Sequence, residues 1–262
     1  MTATREMTRA EALEELKDLA TNSQILLEGT PTETWVSLDG WDPDAGVKVN
    51  GCVAGVIVRY WGTGRKVGGA LPTGANAPQG GSAPDNLDPR NALALVRLCE
   101  WLSDNWGVTE LYHVGISGDI SGGRNDCHGQ GRAIDFVGVK GKLDDGSDLL
   151  LTVFDDWGLV NTPSTPQGQW PAGTGTAVHF RLDDDGADET ARDFFSGLYE
   201  FIADEWQDRS DGSIDAGPPT SIGEGSFIMH PDHPTTAPGT PHGREAHQGH
   251  IHMQIGKTGT ER

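Results

Sequence analysis

Residues 128–139 read HGQGRAIDFVGV and join a glycine-rich loop to a run of strand-forming residues. The β-branched and aromatic side chains after the loop predict a strand over residues 132–139. Because side chains alternate faces along a strand, Asp135 falls among small apolar neighbours. A carboxylate in such surroundings is costly unless it is paired or bound to a metal. The two loop glycines allow the chain to fold back, so that His128 and Asp135 can converge on one ion.

A second histidine-bearing stretch, HQGHIHMQI, occupies residues 247–255. As a strand, it carries His250 and His252 on one polar face, while the isoleucine and methionine side chains between them face the core. Two imidazoles about 7 Å apart on one face suit a metal ligand and a neighbouring catalytic group. Together with His128 and Asp135, this stretch is typical of a zinc ion that keeps one position open for water.

Other candidate ligands are weaker. Cys127 adjoins His128, but neighbouring residues in an extended segment point to opposite faces. The three cysteines form no CxxC pattern, which argues against a structural zinc knot. We expect His113 to be a core or rim histidine, and we expect His230 and His233, which flank prolines, to lie at the surface or rim.

The composition excludes several classes of partner. The formal net charge is −20, from 39 acidic and 19 basic residues, and such a surface repels nucleic acid and anionic lipid headgroups. The sequence contains no apolar span of about 18 residues and begins with a charged helix rather than a signal peptide. We therefore expect a soluble protein, cytoplasmic at synthesis, that is exported or delivered by a route without a signal peptide. Delivery machinery would then contact the N-terminal helix.

Local signals place the regular elements. A capping box at Thr8 predicts a helix over about residues 8–21. Asp88-Pro89 begins another helix, which Gly107 ends. The remaining predictions are a helix over 188–206, strands within 47–61, 111–116, 149–154 and 177–182, and a long surface loop over 62–87.

This order of elements predicts an α+β fold with a mainly antiparallel sheet that carries a zinc site, flanked by helices and long loops. We expect an N-terminal helical extension over residues 1–32 and a larger domain over 33–262 that carries the zinc motifs. The motifs fall within a core of about residues 88–256.

The pattern His128-x-x-Gly-Arg-Ala-x-Asp135, followed by His-x-His, resembles the lysostaphin, D-Ala-D-Ala metallopeptidase and Sonic hedgehog group of zinc peptidases. The seven-residue offset and the spacing His247-x-x-His250-x-His252 are most similar to the D-Ala-D-Ala carboxypeptidase and murein endopeptidase branches. The resemblance implies that His128, Asp135 and His252 hold zinc. It also implies that His250 acts as general base or oxyanion donor, that His247 assists, and that the substrate is a peptide bond in peptidoglycan.

The chain departs from this pattern at two places. Asp126 stands where many relatives carry serine, and the segment that begins at Ser117 lacks the arginine that many relatives carry after the preceding strand. Arg124 is a candidate replacement that would bind a substrate carboxylate. Without such an arginine a free terminal carboxylate is poorly bound, which favours endopeptidase over carboxypeptidase action. The alternatives are a non-catalytic zinc-containing binding protein of the hedgehog type, and a delivered wall-degrading toxin or lysin with the same chemistry.

Overall fold

The computed structural model describes residues 2–42, 47–49, 51–60, 84–124, 126–160, 179–180, 182, 188–206, 228–231 and 249–256. Short sequence signals set the ends of its helices. Thr8 forms the predicted capping box with Glu11, and Asp88 caps the second helix, which ends at Gly107 in the left-handed conformation. The helices are α1 (Arg9–Thr21), α2 (Pro89–Trp106), α3 (Val153–Asp156) and α4 (Glu189–Glu205).

Most strands form one sheet, which confirms the α+β prediction. The strands are β1 (Leu26–Glu28), β2 (Ser37–Asp42), β3 (Val47–Val49), β4 (Cys52–Val53), β5 (Val56–Tyr60), β6 (Val108–Gly115), β7 (Ala133–Lys142), β8 (Asp148–Thr152), β9 (Leu159–Val160), β10 (His179–Phe180) and β11 (Ile251–Gln254). The six-stranded sheet has the order β11-β7-β6-β5-β4, with β8 also paired to β7. Its pairs are antiparallel except β5 with β6. Strands β1–β3 form a small antiparallel sheet, and β9 pairs with β10.

Strand β7 pairs with three other strands of the sheet, β6, β8 and β11. Its first half pairs with β11 and its second half with β8, so these two strands share one edge of β7. Ile251 and Met253 of β11 lie opposite Phe136 and Ile134 of β7, and all four side chains belong to the hydrophobic core. The apolar face predicted for the last strand is therefore confirmed. The other face of β7 and β11 carries Asp135 and His252.

Helix α2 packs on the sheet and is the most buried helix. It contacts β4 to β7, and α1 and α4 pack against it. Leu13 and Leu16 place the apolar side of α1 in the same core as α2. Buried Arg97 of α2 joins the two outer helices, because its guanidinium donates to Glu15 of α1 and to Glu205 of α4. The N-terminal helix thus packs on the body that carries the sheet.

Some element boundaries differ from prediction. The strand expected over 149–154 ends at Thr152, whose side chain accepts a hydrogen bond from the Asp155 amide and caps α3. Most of the loop expected over 62–87 lies outside the described residues. No helix in the described part of the chain is long and apolar enough to cross a membrane.

Candidate metal centre

The two histidine-bearing stretches meet because β11 pairs antiparallel with β7. In this register His252 lies directly opposite Asp135. The Nδ1 atom of His252 is 2.8 Å from Oδ1 of Asp135. On the outer edge of β11, His252 also exchanges two backbone hydrogen bonds of 2.8 Å with Met229. The imidazole is therefore held on a strand that is paired on both sides.

A turn over residues 126–131 brings His128 to the same place. Asp126 accepts a hydrogen bond of 2.8 Å from the Gly129 amide, and the Gly131 amide donates to the His128 carbonyl. Gly131 has φ +65°, a conformation that favours glycine, and its carbonyl accepts from Asn91 at the start of α2. The turn is thus fixed to the central helix. It sets Nε2 of His128 3.3 Å from Oδ2 of Asp135.

His250 completes the surroundings of Asp135. Its Nε2 atom lies 3.5 Å from Oδ1 of Asp135, and its side chain keeps 16% of its surface exposed. The structure therefore brings together four of the predicted site residues, with Asp135 contacting all three histidines. His247 lies outside the described residues.

Cys127, His128 and His252 form a group that can hold a metal ion, since one donor atom from each lies within 4.8 Å of the others. The Sγ atom of Cys127 is 3.9 Å from Nε2 of His252. The argument from strand alternation that made Cys127 a weak candidate does not apply here. Cys127 and His128 lie in a turn, where consecutive side chains can face one point.

The charges in the centre are set by Asp135. Burial alone would raise the pKa of its carboxyl, yet hydrogen bonds from His128 and His252 hold that pKa well below its usual range. Burial alone would also lower the pKa of His252, but hydrogen bonding to Asp135 and contact with Cys127 raise it to about 10. Without metal, the pair is therefore a carboxylate and an imidazolium. A divalent cation can take the place of the imidazolium proton.

The centre has room because Gly115 lies across from it on β6. A Cβ atom at Gly115 would be 2.9 Å from Oδ2 of Asp135 and 3.4 Å from Nδ1 of His128. Gly115 pairs with Asp135 in the β6–β7 register. A side chain at this position would therefore displace the Asp135 carboxylate, which glycine leaves in place.

Arg124 stands at the exposed rim of the turn. Its Nε donates to Oδ2 of Asp126 at 2.6 Å, and 56% of the side chain is exposed. Asp126 therefore serves two functions, since it also caps the turn that carries His128. The candidate carboxylate clamp is already paired with an acid on one edge of its guanidinium.

Two further histidines lie in the core. His113 is fully buried, and neither ring nitrogen has a hydrogen-bond partner among the described residues. Burial lowers its pKa to about 4, although the charge of Asp135 opposes that shift. His230 is also fully buried, stacked on Trp157 with Tyr199 at its edge, so the surface position expected for it was wrong. His233 lies outside the described residues.

Sequence reasoning assigned no role to Gln254. Its Oε1 atom lies 3.2 Å from Nε2 of His252, and its amide donates to the Gly256 carbonyl. The side chain is 3% exposed. In the sequence, Gln254 could have been found from its position two residues after His252, which places both side chains on one strand face.

No protein-family model matches the chain, and no curated protein or solved structure is significantly similar to it. The function is therefore inferred from the residues of this centre and from the motifs that carry them.

Proposed function

We propose that the chain is a zinc-dependent peptidase that hydrolyses a peptide bond in peptidoglycan. One observation carries the proposal: Asp135 oxygens lie 2.8 Å from Nδ1 of His252 and 3.3 Å from Nε2 of His128. Tetrahedral zinc with bonds of about 2.0–2.1 Å holds its ligand atoms roughly 3.3 Å apart. Each of the two imidazole nitrogens therefore lies within about 0.5 Å of that separation from an oxygen of Asp135. The motifs shared with cell-wall peptidases supply the substrate class.

The remaining residues suit hydrolysis. Zinc held by three side chains supplies a nucleophilic water near neutral pH and polarises the scissile carbonyl. His250 lies beside the ligand Asp135, and its partial exposure lets it meet a bound peptide. It can take the proton from the attacking water and return it to the leaving amine. His247 receives its role, stabilising the developing charge, from the resemblance alone.

Within this proposal, internal bonds are preferred over removal of a terminal D-Ala. A free carboxylate is bound best by an arginine that donates two parallel hydrogen bonds and keeps its full charge for that carboxylate. Arg124 already donates its Nε to Asp126, which neutralises part of its charge. Cleavage within a stem peptide or a cross-link needs no such clamp.

Metal analysis of variants tests the ligand set. We expect near-stoichiometric zinc in the native protein and a sharp loss in both His128→Ala and His252→Ala. His250→Ala should keep its zinc and lose activity by about 10²–10⁴-fold, the usual contribution of a general acid–base group. Asp148→Ala, at an 87% exposed site, is the surface control. Full zinc retention in both ligand variants would refute the set, and zinc loss in His250→Ala with retention in His252→Ala would reverse the two roles.

Defined muropeptides test the reaction. The purified protein is incubated with cross-linked and uncross-linked substrates, with and without chelator, and products are identified by mass spectrometry. We expect chelator-sensitive cleavage of an internal bond. Release of free D-alanine alone from an uncross-linked pentapeptide would point back to Arg124 as a clamp. Stoichiometric zinc without any cleavage would favour the non-catalytic binding protein instead.

A further inference from the structure

The two ring nitrogens of His252 face different partners. Nδ1 points to Asp135 at 2.8 Å, whereas Nε2 lies 3.2 Å from Oε1 of Gln254 and 3.9 Å from Sγ of Cys127. An imidazole usually binds a metal through one nitrogen and donates its other N–H to a neighbouring group. His252 therefore has two ways to bind an ion, one through each nitrogen.

The distances allow the Nε2 arrangement. Tetrahedral zinc with a Zn–S bond of about 2.3 Å and a Zn–N bond of about 2.0–2.1 Å separates sulfur from nitrogen by roughly 3.6 Å. The observed separation of Cys127 Sγ from His252 Nε2 is 3.9 Å, so a shift of a few tenths of an ångström suffices. A donor atom of His128 lies within 4.8 Å of both. Three donors, two from the turn over residues 126–131 and one from β11, thus surround one point.

We propose that Cys127 is a metal ligand in a second arrangement of the same centre, in which it takes the place of Asp135. In this arrangement the metal is held by Cys127, His128 and Nε2 of His252. Asp135 then accepts the Nδ1–H hydrogen bond of His252, as carboxylates do behind many metal-bound histidines. The inference rests on the proposed zinc centre. It adds that thiophilic divalent ions, zinc and cadmium among them, bind here in preference to magnesium or manganese.

Gln254 and Cys127 compete for the same nitrogen. In the Asp135 arrangement Nδ1 of His252 binds metal beside Asp135, and the Nε2–H group donates to Gln254. In the Cys127 arrangement Nε2 binds metal beside Cys127, and Gln254 loses that hydrogen bond. The buried Gln254 amide is anchored to the Gly256 carbonyl, so its Oε1 stays aimed at His252. The balance between these two contacts sets whether Asp135 or Cys127 supplies the third protein ligand.

Cobalt(II) distinguishes the two arrangements because thiolate ligation gives a near-ultraviolet charge-transfer band. We expect the cobalt-loaded protein to show this band and Cys127→Ser to lose it while still binding cobalt. The buried Cys52 and Cys99 provide matched controls, so Cys52→Ala and Cys99→Ala should keep it. Gln254→Met, which removes the competing acceptor, should strengthen the band.

The outcomes separate this inference from the proposed function. Stoichiometric cobalt without a thiolate band in the native protein would overturn the Cys127 arrangement and leave the zinc peptidase intact. Failure to bind cobalt or zinc at all would overturn both. An unchanged band in Gln254→Met would overturn the competition for Nε2. As a second readout, zinc should protect Cys127 from alkylation by iodoacetamide, and equal labelling with and without zinc would contradict ligation.

Discussion

Gly115→Ala should weaken zinc binding without removing any donor. The added Cβ would lie 2.9 Å from Oδ2 of Asp135 and 3.4 Å from His128. Ordinary contacts between a carbon and an oxygen atom begin at about 3.4 Å, so the Asp135 carboxylate must move away by roughly 0.5 Å. Functional sites require their groups to be held within about 0.5 Å, and this displacement reaches that limit. The backbone at Gly115 does not have positive φ, so the effect comes from the side chain alone.

The expected loss of zinc affinity is about 10–100-fold, the usual effect of disturbing the support of a metal ligand. That range corresponds to about 1.4–2.7 kcal/mol. Competition with a chromophoric chelator measures the affinity, and thermal unfolding of the metal-free protein shows whether the fold persists. Gly197→Ala is the matched control. Gly197 lies within α4, and a Cβ there would make an ordinary contact of 3.5 Å with Trp101. The substitution should leave zinc affinity unchanged and raise the free energy of unfolding by up to about 1 kcal/mol. Wild-type zinc affinity in a folded Gly115→Ala protein would show that Asp135 does not bind the metal in this geometry.

Three further predictions concern stability. Asp88→Asn should cost about 3–5 kcal/mol, because the fully buried carboxylate pairs with two arginines and caps α2. Burial alone would raise the pKa of Asp88, but the two arginines outweigh burial and lower it. The stability that Asp88 contributes is therefore complete above the unfolded pKa of about 3.9 and is lost as pH falls through the lower folded pKa. In urea unfolding, the free energies of the wild type and Asp88→Asn should converge only in acid. Gly107→Ala should reduce the free energy of unfolding by about 1–3 kcal/mol, because φ is +58° and the new Cβ would overlap the Lys142 carbonyl. Thermal unfolding measures the loss, and a wild-type melting temperature would contradict the cap geometry. Arg97→Met should cost about 3–5 kcal/mol by leaving Glu205 without its arginine, and adding Glu205→Gln should recover part of that loss in denaturant titrations; strictly additive losses would argue against the pairing.

The parts of the structure that sequence predicts best are those with local causes. Helix α2 begins after Asp88 and ends before Gly107 as predicted, because capping depends on a few consecutive residues. The alternation of β11 is equally local, and its apolar side chains do enter the core. The partner of β11 is not local, because the register that sets His252 opposite Asp135 depends on contacts between distant segments.

The errors at the site have the same origin. The argument against Cys127 assumed an extended chain, whereas hydrogen bonds from Gly129 and Gly131 close a turn there. His230 was placed at the surface because it precedes a proline, yet aromatic residues far along the chain enclose it. Gln254 carried no motif, and only its distance from His252 shows its contact. Each of these facts depends on tertiary structure that a single sequence does not contain.

The pairing of β11 with β7 also determines when the candidate metal centre can form during synthesis. His252 follows Asp135 by 117 residues, and closing a flexible loop of that length costs roughly 4 kcal/mol in entropy. A nascent chain that has emerged through α4 can already form the helices and β7, but it lacks His252 of β11. Translation delivers N-terminal segments first, so β11 is synthesised after the scaffold that receives it. The candidate metal centre is therefore assembled only once β11 has docked on β7.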